Sequence, residues 1–524
     1  MRHIIRKQLI DLGVDKELDA FSVQQDVSVF YWDHIIPLLE RVFNDLSNTG
    51  EVITIDKLEI ELGNFAPKEI KQKWDIDKLL SEITSQLYSQ IKFGRDEGIK
   101  ITRQKQESNI FRQWLFYMEN GFLPWNVIIP AENWYEKVLE SIAMEYQSAE
   151  ELKLLIRTDT DAVERIILQH PVIYLVHLTE LLTARKQEKL PVYIEDIYKL
   201  MLFSLKKSKD KITAGKRSFE INVWKKILLL SASPHTDLST ERIAEILIRL
   251  LLTDPQILHL MELKTVSRKV AIIYPLLVKI AGEPGKSIDG TIKIKMDPPR
   301  EENGTGIQLT KDKSGDNEKG NEETMVNDAR LAIEKNEKNK NRENDEEDIR
   351  VTTKKMVEEG IFTRNGGLVL LNPFIYHFFY NLHLTNAGKF VDLHHQQKAL
   401  YLLHYLATAR TEAQEHELII AKVLCGYPIH QVVERQMILA ADELQEAGQL
   451  LEEVIAQWEI LKNTSPDGLR EGFLQRPGKL DSKNDHFCLH LEKSSIDILL
   501  DYLPWKLSVV QLPWMKQRLT VEWR

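Results

Sequence analysis

Ile243-Ala-Glu-Ile-Leu-Ile-Arg-Leu-Leu251 carries apolar residues at positions 243, 246, 250 and 251, which is the spacing of one face of an α-helix. The same spacing recurs throughout residues 74–281, for example at Leu79, Ile83, Leu87 and Ile91. Prolines interrupt the pattern and divide it into several short helices, at positions 124, 130, 171, 191 and 255. The sequence therefore predicts a helical body over residues 74–281.

The N-terminal residues 1–65 mix helical and strand patterns. Ile4 to Leu12 is compatible with a strand, and a short amphipathic helix follows Pro37, a residue tolerated in a first helical turn. From Val52 to Leu62, leucine and isoleucine alternate with charged residues, as in a half-buried strand. We therefore expect a small α+β unit at residues 1–65.

The C-terminal residues 351–524 begin with helical patterns and end with strand patterns. Four segments predict helices: Phe374 to Leu384, Lys398 to Leu406, Glu417 to Leu424 and Val433 to Leu461. Apolar and polar residues then alternate at 487–492 and at 519–523, which is typical of strands. The fold class expected for the whole chain is mainly α, in several domains, with small α+β units at both ends.

A segment of a different kind separates the helical body from the C-terminal domain. About half of residues 301–350 are Asp, Glu, Lys or Arg, and the segment contains no aromatic residue. Such a composition buries too little apolar area to offset the entropy of ordering the chain. Residues 283–350 are therefore predicted to be a disordered charged linker.

Composition excludes several classes of function. The net charge of -10 argues against broad neutralisation of phosphates, so nucleic acid is not expected as a partner. The N-terminus lacks the uninterrupted apolar stretch of a signal peptide, and no segment is apolar enough to predict membrane insertion. With two cysteines, both in apolar surroundings, the sequence is consistent with a reducing compartment.

No catalytic, cofactor-binding or metal-binding motif is complete. His416-Glu-Leu-Ile-Ile420 begins like a zinc-hydrolase helix, but isoleucine occupies the position of the second histidine. Gly282-Glu-Pro-Gly-Lys-Ser287 ends like a phosphate-binding loop but lacks the first glycine. A histidine group is more typical of ordinary helix faces than of a metal site, at positions 377, 383, 394, 395 and 404. We expect no enzyme, no cofactor and no metal.

Two Leu-Pro-Trp steps near the C-terminus are candidate interaction sites: the first is Leu503-Pro-Trp505 and the second is Leu512-Pro-Trp514. Proline holds φ near −65° and favours extended geometry at the residue before it, so each step presents a tryptophan at a strand edge or turn. Each indole could pack into the domain's own core or anchor a neighbouring protein. The candidate interaction residues are Trp458, Leu461, Thr464, Gly468, Leu469, Arg470, Glu471, Phe473, Leu503, Pro504, Trp505, Leu512, Pro513, Trp514 and Met515.

The sequence resembles the tape measure proteins of contractile injection systems, which are phage-tail-like particles. At the N-terminus the resemblance rests on His3-Ile-Ile, Ile36-Pro-Leu-Leu-Glu-Arg-Val-Phe43 and Ile55-Asp-Lys-Leu-Glu-Ile-Glu-Leu-Gly63, with a weaker match at Gly121-Phe-Leu-Pro-Trp125. Towards the C-terminus it rests on Leu371-Asn-Pro-Phe374, Ala399 to Thr408, Glu415-His-Glu-Leu418, Leu424-Cys-Gly-Tyr-Pro428, residues 458–480 and the two Leu-Pro-Trp steps.

The resemblance implies a protein that acts during particle assembly. It implies a ruler that engages the baseplate or spike, lies in the lumen of the growing inner tube and sets the length of tube and sheath. Toxin cargo is a further expected partner in that lumen, and the chain is expected in the cytoplasm before assembly. Two alternatives are a compact baseplate adaptor or assembly chaperone of the same particle, and a toxin or enzyme carried as cargo.

Overall fold

The computed structural model describes residues 8–14, 19–47, 51–55, 57–63, 76–93, 101–125, 127, 133–205, 215–233, 238–263, 266–282, 360–483 and 486–523, together with His3 and Ile5. Within these residues the fold is mainly α-helical with small sheets, which confirms the predicted class. The predicted linker at residues 283–350 lies outside the described residues, as does Pro130.

In the structure the N-terminal unit extends beyond the predicted residues 1–65 as far as residue 105, and its described part contains three helices and a two-stranded antiparallel sheet. The helices are α1 (Ala20–Phe30), α2 (Ile36–Leu46) and α3 (Ile76–Phe93), and the strands are β1 (Glu51–Ile55) and β2 (Ile101–Lys105). A π-helical turn at Tyr31–Ile35 joins α1 to α2. The predicted run on α3 packs into the core of this unit with Leu38, Leu39 and Val42 of α2, at positions 79, 83, 87 and 91.

The strand predicted from Val52 to Leu62 ends at Ile55 in the structure. Beyond it, the backbone of Glu59 and Glu61 donates to side-chain amide oxygens of α3, to Gln90 Oε1 at 3.4 Å and to Gln86 Oε1 at 3.2 Å. Backbone N–H groups need hydrogen-bond acceptors. Here two glutamine side-chain oxygens are the acceptors, in place of the carbonyl oxygens of a neighbouring strand. The alternation of apolar and charged residues therefore predicted a strand in this region but did not predict where the strand ends.

Two other segments also differ from expectation. Residues 8–12, the described part of the strand predicted from Ile4 to Leu12 apart from Ile5, have no regular secondary structure. The helix predicted from Val433 to Leu461 spans only Ala441–Gln457. Before it, Gln436 forms an antiparallel bridge with Glu412, and Ala413 N donates to Arg435 O at 3.1 Å. After it, Glu459–Leu461 is a 3-10 helix.

Among the described residues, eleven helices form the body that follows β2. They are α4 (Gln106–Asn120), α5 (Trp134–Met144), α6 (Tyr146–Thr158), α7 (Thr160–Gln169), α8 (Val172–Thr183), α9 (Leu190–Leu205), α10 (Lys216–Ser231), α11 (Thr240–Leu251), α12 (Asp254–Glu262), α13 (Val266–Lys269) and α14 (Tyr274–Ala281). Predicted breakers lie at helix starts, such as Pro171 before α8 and Pro255 in the first turn of α12. Ser239 caps α11 by accepting from the backbone of Arg242 at 3.2 Å. No helix in the part of the chain that the structure describes is both long and apolar enough to cross a membrane.

The C-terminal domain, over its described residues 360–483 and 486–523, combines five α-helices with a five-stranded sheet. The helices are α15 (Asn372–Asn381), α16 (Leu393–Thr408), α17 (Ile419–Leu424), α18 (Ala441–Gln457) and α19 (Pro466–Leu469). Shorter helical turns are 3-10 helices at Gly366–Leu371, Glu415–Leu418, Glu459–Leu461 and Ser495–Tyr502, and a π-helix at Arg470–Leu474. The strands are β3 (Ile361–Thr363), β4 (Thr385–Asn386), β5 (Lys389–Phe390), β6 (Gly478–Lys483), β7 (His486–Leu491), β8 (Val509–Val510) and β9 (Leu519–Glu522).

The five-stranded sheet has the order β3-β6-β7-β9-β8. The β7–β9 pair is parallel, and the other pairs of this sheet are antiparallel. β4 and β5 form a separate two-stranded hairpin. The strands at 486–491 and 519–522 correspond to the two alternating segments of the sequence, so their apolar faces confirm that prediction.

The chain after residue 360 returns to the helical body. Phe362 N donates to Leu123 O at 2.9 Å, and Trp125 N donates to Gly360 O at 3.2 Å. The side chain of Phe362 packs in the core of the body, whereas Phe122 packs in the core of the C-terminal domain. Each of these two parts therefore receives a phenylalanine from the other.

Candidate functional site

The first Leu-Pro-Trp step packs its tryptophan against the start of the C-terminal domain. Trp505 Nε1 donates to Leu370 O at 3.0 Å, and its ring meets that of Phe374 edge-on at 5.2 Å. The indole is half-buried, Leu503 is half-buried, and Pro504 is exposed. The polar atom of this tryptophan is therefore satisfied within the chain, while part of the ring remains accessible.

The second step is held in the same way at a different place. Trp514 Nε1 donates to Leu424 O at 2.8 Å, and the ring lies parallel to that of Tyr376 at 6.2 Å. Gly426, with φ of +63°, lies so close that a Cβ there would be 2.6 Å from Trp514 O. The Leu424-Cys-Gly-Tyr-Pro428 segment and the second Leu-Pro-Trp step thus form one contact.

The other predicted interaction residues divide by exposure. Buried residues belong to the core of the C-terminal domain or lie at its edge: Trp458, Leu461, Leu469, Arg470, Phe473, Leu512 and Met515. Thr464 is half-buried, while Gly468, Glu471 and Pro513 are exposed. In this conformation a partner can touch the proline, glycine and glutamate positions and the open sides of Trp505 and Trp514, but not the buried set.

A buried ion network joins the helical body to the C-terminal domain. Arg165 on α7 donates from Nε to Glu415 Oε2 at 2.9 Å, and Lys422 on α17 donates from Nζ to Glu415 Oε1 at 2.7 Å. All three side chains are almost fully buried, at 1%, 0% and 0% exposure. Two cations therefore share one carboxylate across the junction.

Backbone carbonyl oxygens complete the network. Arg165 also donates to Met118 O, to Glu119 O at 3.1 Å and to His430 O at 2.6 Å. Lys422 donates to Ile429 O at 2.7 Å and to Gln431 O at 2.8 Å. Two cations face one carboxylate, so one positive charge is not neutralised by a side chain. A buried charge is costly unless it is hydrogen-bonded, and here the backbone carbonyl oxygens stabilise it.

Glycine is needed where the body approaches this network. Gly121 has φ of +78°, and a Cβ there would lie 2.6 Å from Glu415 Oε1 and 3.0 Å from Arg165. A side chain would strain the backbone and push into the ion pair. The Gly121-Phe-Leu-Pro-Trp125 and Glu415-His-Glu-Leu418 segments, which are far apart in sequence, meet here.

A comparison with known protein families identifies the family of this chain. A family model described as contractile injection system tape measure protein matches residues 2–523. The chain belongs to this family. No curated protein and no solved structure was found to match it.

The family is one of structural proteins, and its match covers both ends of the chain and the helical body between them. In this tape measure protein, several of the segments that carry the family resemblance meet in the buried network and in the Leu-Pro-Trp contacts, so they have a structural role. Membership also indicates that the chain works with tube and sheath components of a contractile injection system.

Sequence reasoning missed three residues of the tape measure protein's junction: Arg165, Gln169 and Lys422. Gln169 Oε1 accepts from Glu415 N at 2.9 Å, and its Nε2 donates to Val433 O at 2.7 Å. One signal could have found Lys422, a lone cation inside the apolar run Ile419-Ile-Ala-Lys-Val-Leu424. Such a residue is rarely buried without a partner, but the sequence does not say which carboxylate pairs with it.

Burial shifts the pKa values of several side chains at this junction. It lowers the pKa of Lys422 to about 8, against the opposing attraction of Glu415. It also lowers the pKa of His416 to about 4, although nearby Glu417 favours the charged form. His416 packs edge-on against the rings of Tyr117 and Trp134, so it is a neutral core side chain at pH 7.

The five histidines at positions 377, 383, 394, 395 and 404, interpreted from the sequence as ordinary helix-face residues, form no metal-ligating group in the described part of the chain. His404 is buried, and burial lowers its pKa to about 4, while only His394 and His395 of the five have their rings in mutual contact. The incomplete phosphate loop lies outside the described residues after Gly282. A different set has metal-ligating geometry in the described part of the chain: Asp481, Cys488 and His490.

Proposed function

We propose that this chain sets the length of the inner tube and sheath of its particle and engages the baseplate or spike through its C-terminal unit. The family match over residues 2–523 carries the proposal. The length of the chain is compatible with a ruler, because 524 residues reach ~790 Å if helical throughout and up to ~1,700 Å if fully extended.

The same proposal places the chain in the cytoplasm during assembly and then in the tube lumen. Its partners there are inner-tube and baseplate or spike proteins, with toxin cargo as a further occupant of the lumen. The family's role in contractile injection systems supports this placement. The proposal involves no nucleic acid, no membrane insertion, no cofactor and no catalytic step.

Changing the length of the linker tests the ruler directly. Deleting thirty residues within 283–350 should shorten the tube by between ~45 Å and ~100 Å, depending on whether the deleted stretch is helical or extended in place. Inserting thirty residues of the same composition should lengthen it by as much. Tube lengths measured in electron micrographs of purified particles decide the matter, and unchanged lengths across several such variants, with assembly intact, contradict the ruler.

A compact baseplate adaptor is the second candidate, and one observation favours it. The Arg165–Glu415–Lys422 network and the exchange of Phe122 and Phe362 hold the body and the C-terminal domain together. A ruler that stretches through this junction must break these contacts. An adaptor that stays folded keeps them.

A disulfide across the junction separates the two candidates. Pro124 and Ile361 are partners in an antiparallel bridge, the type of pair in which Cβ atoms come close enough for a disulfide. Oxidised Pro124→Cys/Ile361→Cys protein removes the chain between these positions from any stretched path, so a stretching ruler should then make shorter tubes. The reduced form of the same variant is the matched control. Equal lengths in the two forms favour the compact adaptor.

Docking through the C-terminal unit has its own test. If Trp514 anchors the baseplate or spike, Trp514→Ala should weaken docking by about 2 kcal/mol or more. Because Trp514 also packs within the domain, Tyr376→Ala serves as control, since it removes the ring stacked on Trp514 and keeps the indole. Equal retention of baseplate components by wild type and Trp514→Ala, and by protein lacking residues 480–524, contradicts this role. Equal loss in the two single variants assigns the effect to folding.

A further inference from the structure

Three strands bring metal-ligating side chains to one face of the C-terminal sheet. Asp481 on β6 lies directly opposite Cys488 on β7, and His490 on β7 lies opposite Glu522 on β9. Residues of the same strand that are two apart point to the same face. The carboxylate, thiol, imidazole and second carboxylate therefore share a face, on the side opposite Leu480, Leu489 and Val521 of the core.

The ligand atoms of this cluster are close together. His490 Nε2 lies 3.1 Å from Asp481 Oδ2, and one ligand atom each from Asp481, Cys488 and His490 lie within 4.8 Å of one another. On its other side the imidazole Nδ1 lies 2.8 Å from Glu522 Oε2. Cys488 Sγ is 3.7 Å from Glu522 Oε1, and neither of the chain's two cysteines forms a disulfide.

One buried oxygen atom of the cluster has no hydrogen-bond partner. Asp481 is 3% exposed, and its Oδ1 is buried without a hydrogen-bond partner. Its Oδ2 is shared between His490 at 3.1 Å and Lys479 Nζ at 3.5 Å. Hydrogen bonds among Asp481, His490 and Glu522 satisfy Oδ2 of Asp481 but give Oδ1 no partner, although buried polar atoms are normally hydrogen-bonded. A cation at this position supplies the missing partner.

We propose that Asp481, Cys488 and His490 bind a zinc-class divalent metal ion, with Glu522 orienting the imidazole. Oxygen, sulfur and nitrogen donors together suit zinc, whereas calcium and magnesium take oxygen alone. His490 ligates through Nε2, and its Nδ1 donates to Glu522, the carboxylate–histidine–metal arrangement common around zinc. Three protein ligands leave a fourth position for water.

Small movements bring the cluster into coordination. Ligand atoms around a tetrahedral zinc ion lie roughly 3.3–3.6 Å apart, so the widest pair must close by about 1 Å through side-chain rotation. The ammonium group of Lys479 lies 3.5 Å from Asp481 Oδ2 and 5.4 Å from the centre of the Trp125 ring, and it is the nearby positive charge that a metal displaces. The cysteine must lose its proton, so binding should strengthen as pH rises.

The site connects β9 to the β6–β7 hairpin. Its ligands come from β6 and β7, and the outer carboxylate comes from β9. A bound ion therefore connects three neighbouring strands of the unit that also carries the Leu-Pro-Trp steps. The proposal does not depend on whether this unit docks to a baseplate.

Metal titration of the full chain tests the site. Purified protein freed of metal by chelation should bind Zn²⁺ at about one equivalent and melt at a higher temperature with it. Co²⁺ in place of Zn²⁺ should give a thiolate charge-transfer band in the near ultraviolet and tetrahedral bands in the visible. Absence of the thiolate band, or no binding at micromolar Zn²⁺, overturns the proposal.

Variants show whether these residues hold the ion. Cys488→Ser should abolish the charge-transfer band, and Glu522→Gln should weaken Zn²⁺ binding by about 10–100-fold while leaving that band in the saturated protein. His394→Ala is the matched control, because it removes an exposed histidine on α16, outside the sheet, whose ring contacts that of His395. If Cys488→Ser binds Zn²⁺ as the wild type does, or if His394→Ala loses it, the ion is bound elsewhere and the assignment is wrong. Circular dichroism of each metal-free variant confirms that it is folded.

Discussion

Glu415 shows at the scale of one residue how the body and the C-terminal domain are held together. Its two oxygens each face a buried cation, Arg165 and Lys422, across distances of 2.9 and 2.7 Å. A buried ion pair adds little net stability relative to a well-packed apolar cluster, but removal of one partner leaves charge without compensation. The network therefore specifies which surfaces meet more than it strengthens the fold.

Neutralising Glu415 should be costly. Glu415→Gln leaves both cations buried beside a neutral amide, so the free energy of unfolding should fall by about 3–5 kcal/mol. Urea denaturation followed by tryptophan fluorescence measures it. Glu434→Gln is the matched control, since Glu434 also pairs with the body, 3.3 Å from Arg217, but both side chains are 42–50% exposed. That control should cost under about 1 kcal/mol, and similar losses in both variants would contradict the account.

His416 should make stability depend on pH. The folded protein keeps His416 neutral down to about pH 4, because burial lowers its pKa, whereas the unfolded chain binds the proton below about pH 6.5. Protons then favour the unfolded state between these values, so stability falls as pH falls, by about 1.4 kcal/mol per pH unit for each such group.

His416→Phe should remove this contribution. Its unfolding free energy should depend less steeply on pH between about 4.5 and 6, by about 1.4 kcal/mol per unit. The measurement is a set of denaturation curves across that range, with His377→Phe, at an exposed helix position, as control for the loss of a histidine. An unchanged slope in His416→Phe would show that another group governs the acid response.

At the scale of elements, the end of α17 depends on one glycine. Gly426 follows this helix with φ of +63° and lies against the backbone of the second Leu-Pro-Trp step. Only a residue without Cβ suits both the left-handed conformation and the close approach. The position of Trp514 is therefore set by a helix end as well as by its own proline.

Alanine substitutions at two glycines should have opposite effects. Gly426→Ala places a Cβ 2.6 Å from Trp514 O and should destabilise the protein by about 2 kcal/mol or more. Gly448→Ala, on a helix face of α18 with open space around it, should stabilise it by about 0.5–1 kcal/mol. Thermal unfolding of both variants provides the comparison. Stabilisation by Gly426→Ala would mean that the loop and the Leu-Pro-Trp step do not pack as described.

Periodicity predicted the elements better than it predicted their limits or partners. The apolar runs of α3 and α11, and the alternation of β7 and β9, are decided by neighbours in sequence and were readable from it. The strand ending at Ile55 stopped early because glutamines of α3 took over its backbone hydrogen bonds. That depends on a tertiary contact, which local patterns do not contain.

At the scale of the whole molecule, the contacts that matter most are the most distant in sequence. Arg165 and Glu415 are 250 residues apart, and Gln169 and Val433 are 264 apart. Neither the charge pattern nor the spacing of residues in the sequence predicts that these residues contact each other. The sequence predicts that the two Leu-Pro-Trp steps hold their tryptophans in rigid positions. It does not predict that the indole N–H groups donate to the carbonyl oxygens of Leu370 and Leu424, which only the folded structure shows.

The composition of residues 283–350 yields a prediction for the intact protein. Charge-rich chain without aromatic residues should be the first place where a protease cuts. Brief digestion with trypsin at low protease ratio, followed by mass spectrometry, should give two large fragments that end within this segment. Because the buried junction links the flanking parts, the fragments should elute together from a sizing column. First cuts within α4 to α14, or slow amide exchange in 283–350, would contradict the linker.

The exchange of Phe122 and Phe362 bears on how the chain emerges during synthesis. The described residues of the body end at Gly282, yet one side chain of its core is Phe362, which lies 80 residues later in the sequence. At about 5–20 residues per second, a ribosome needs roughly 4–16 s to supply it. For that interval the nascent body carries an open apolar slot and an unsheltered Phe122, so a chaperone has its best opportunity to bind there.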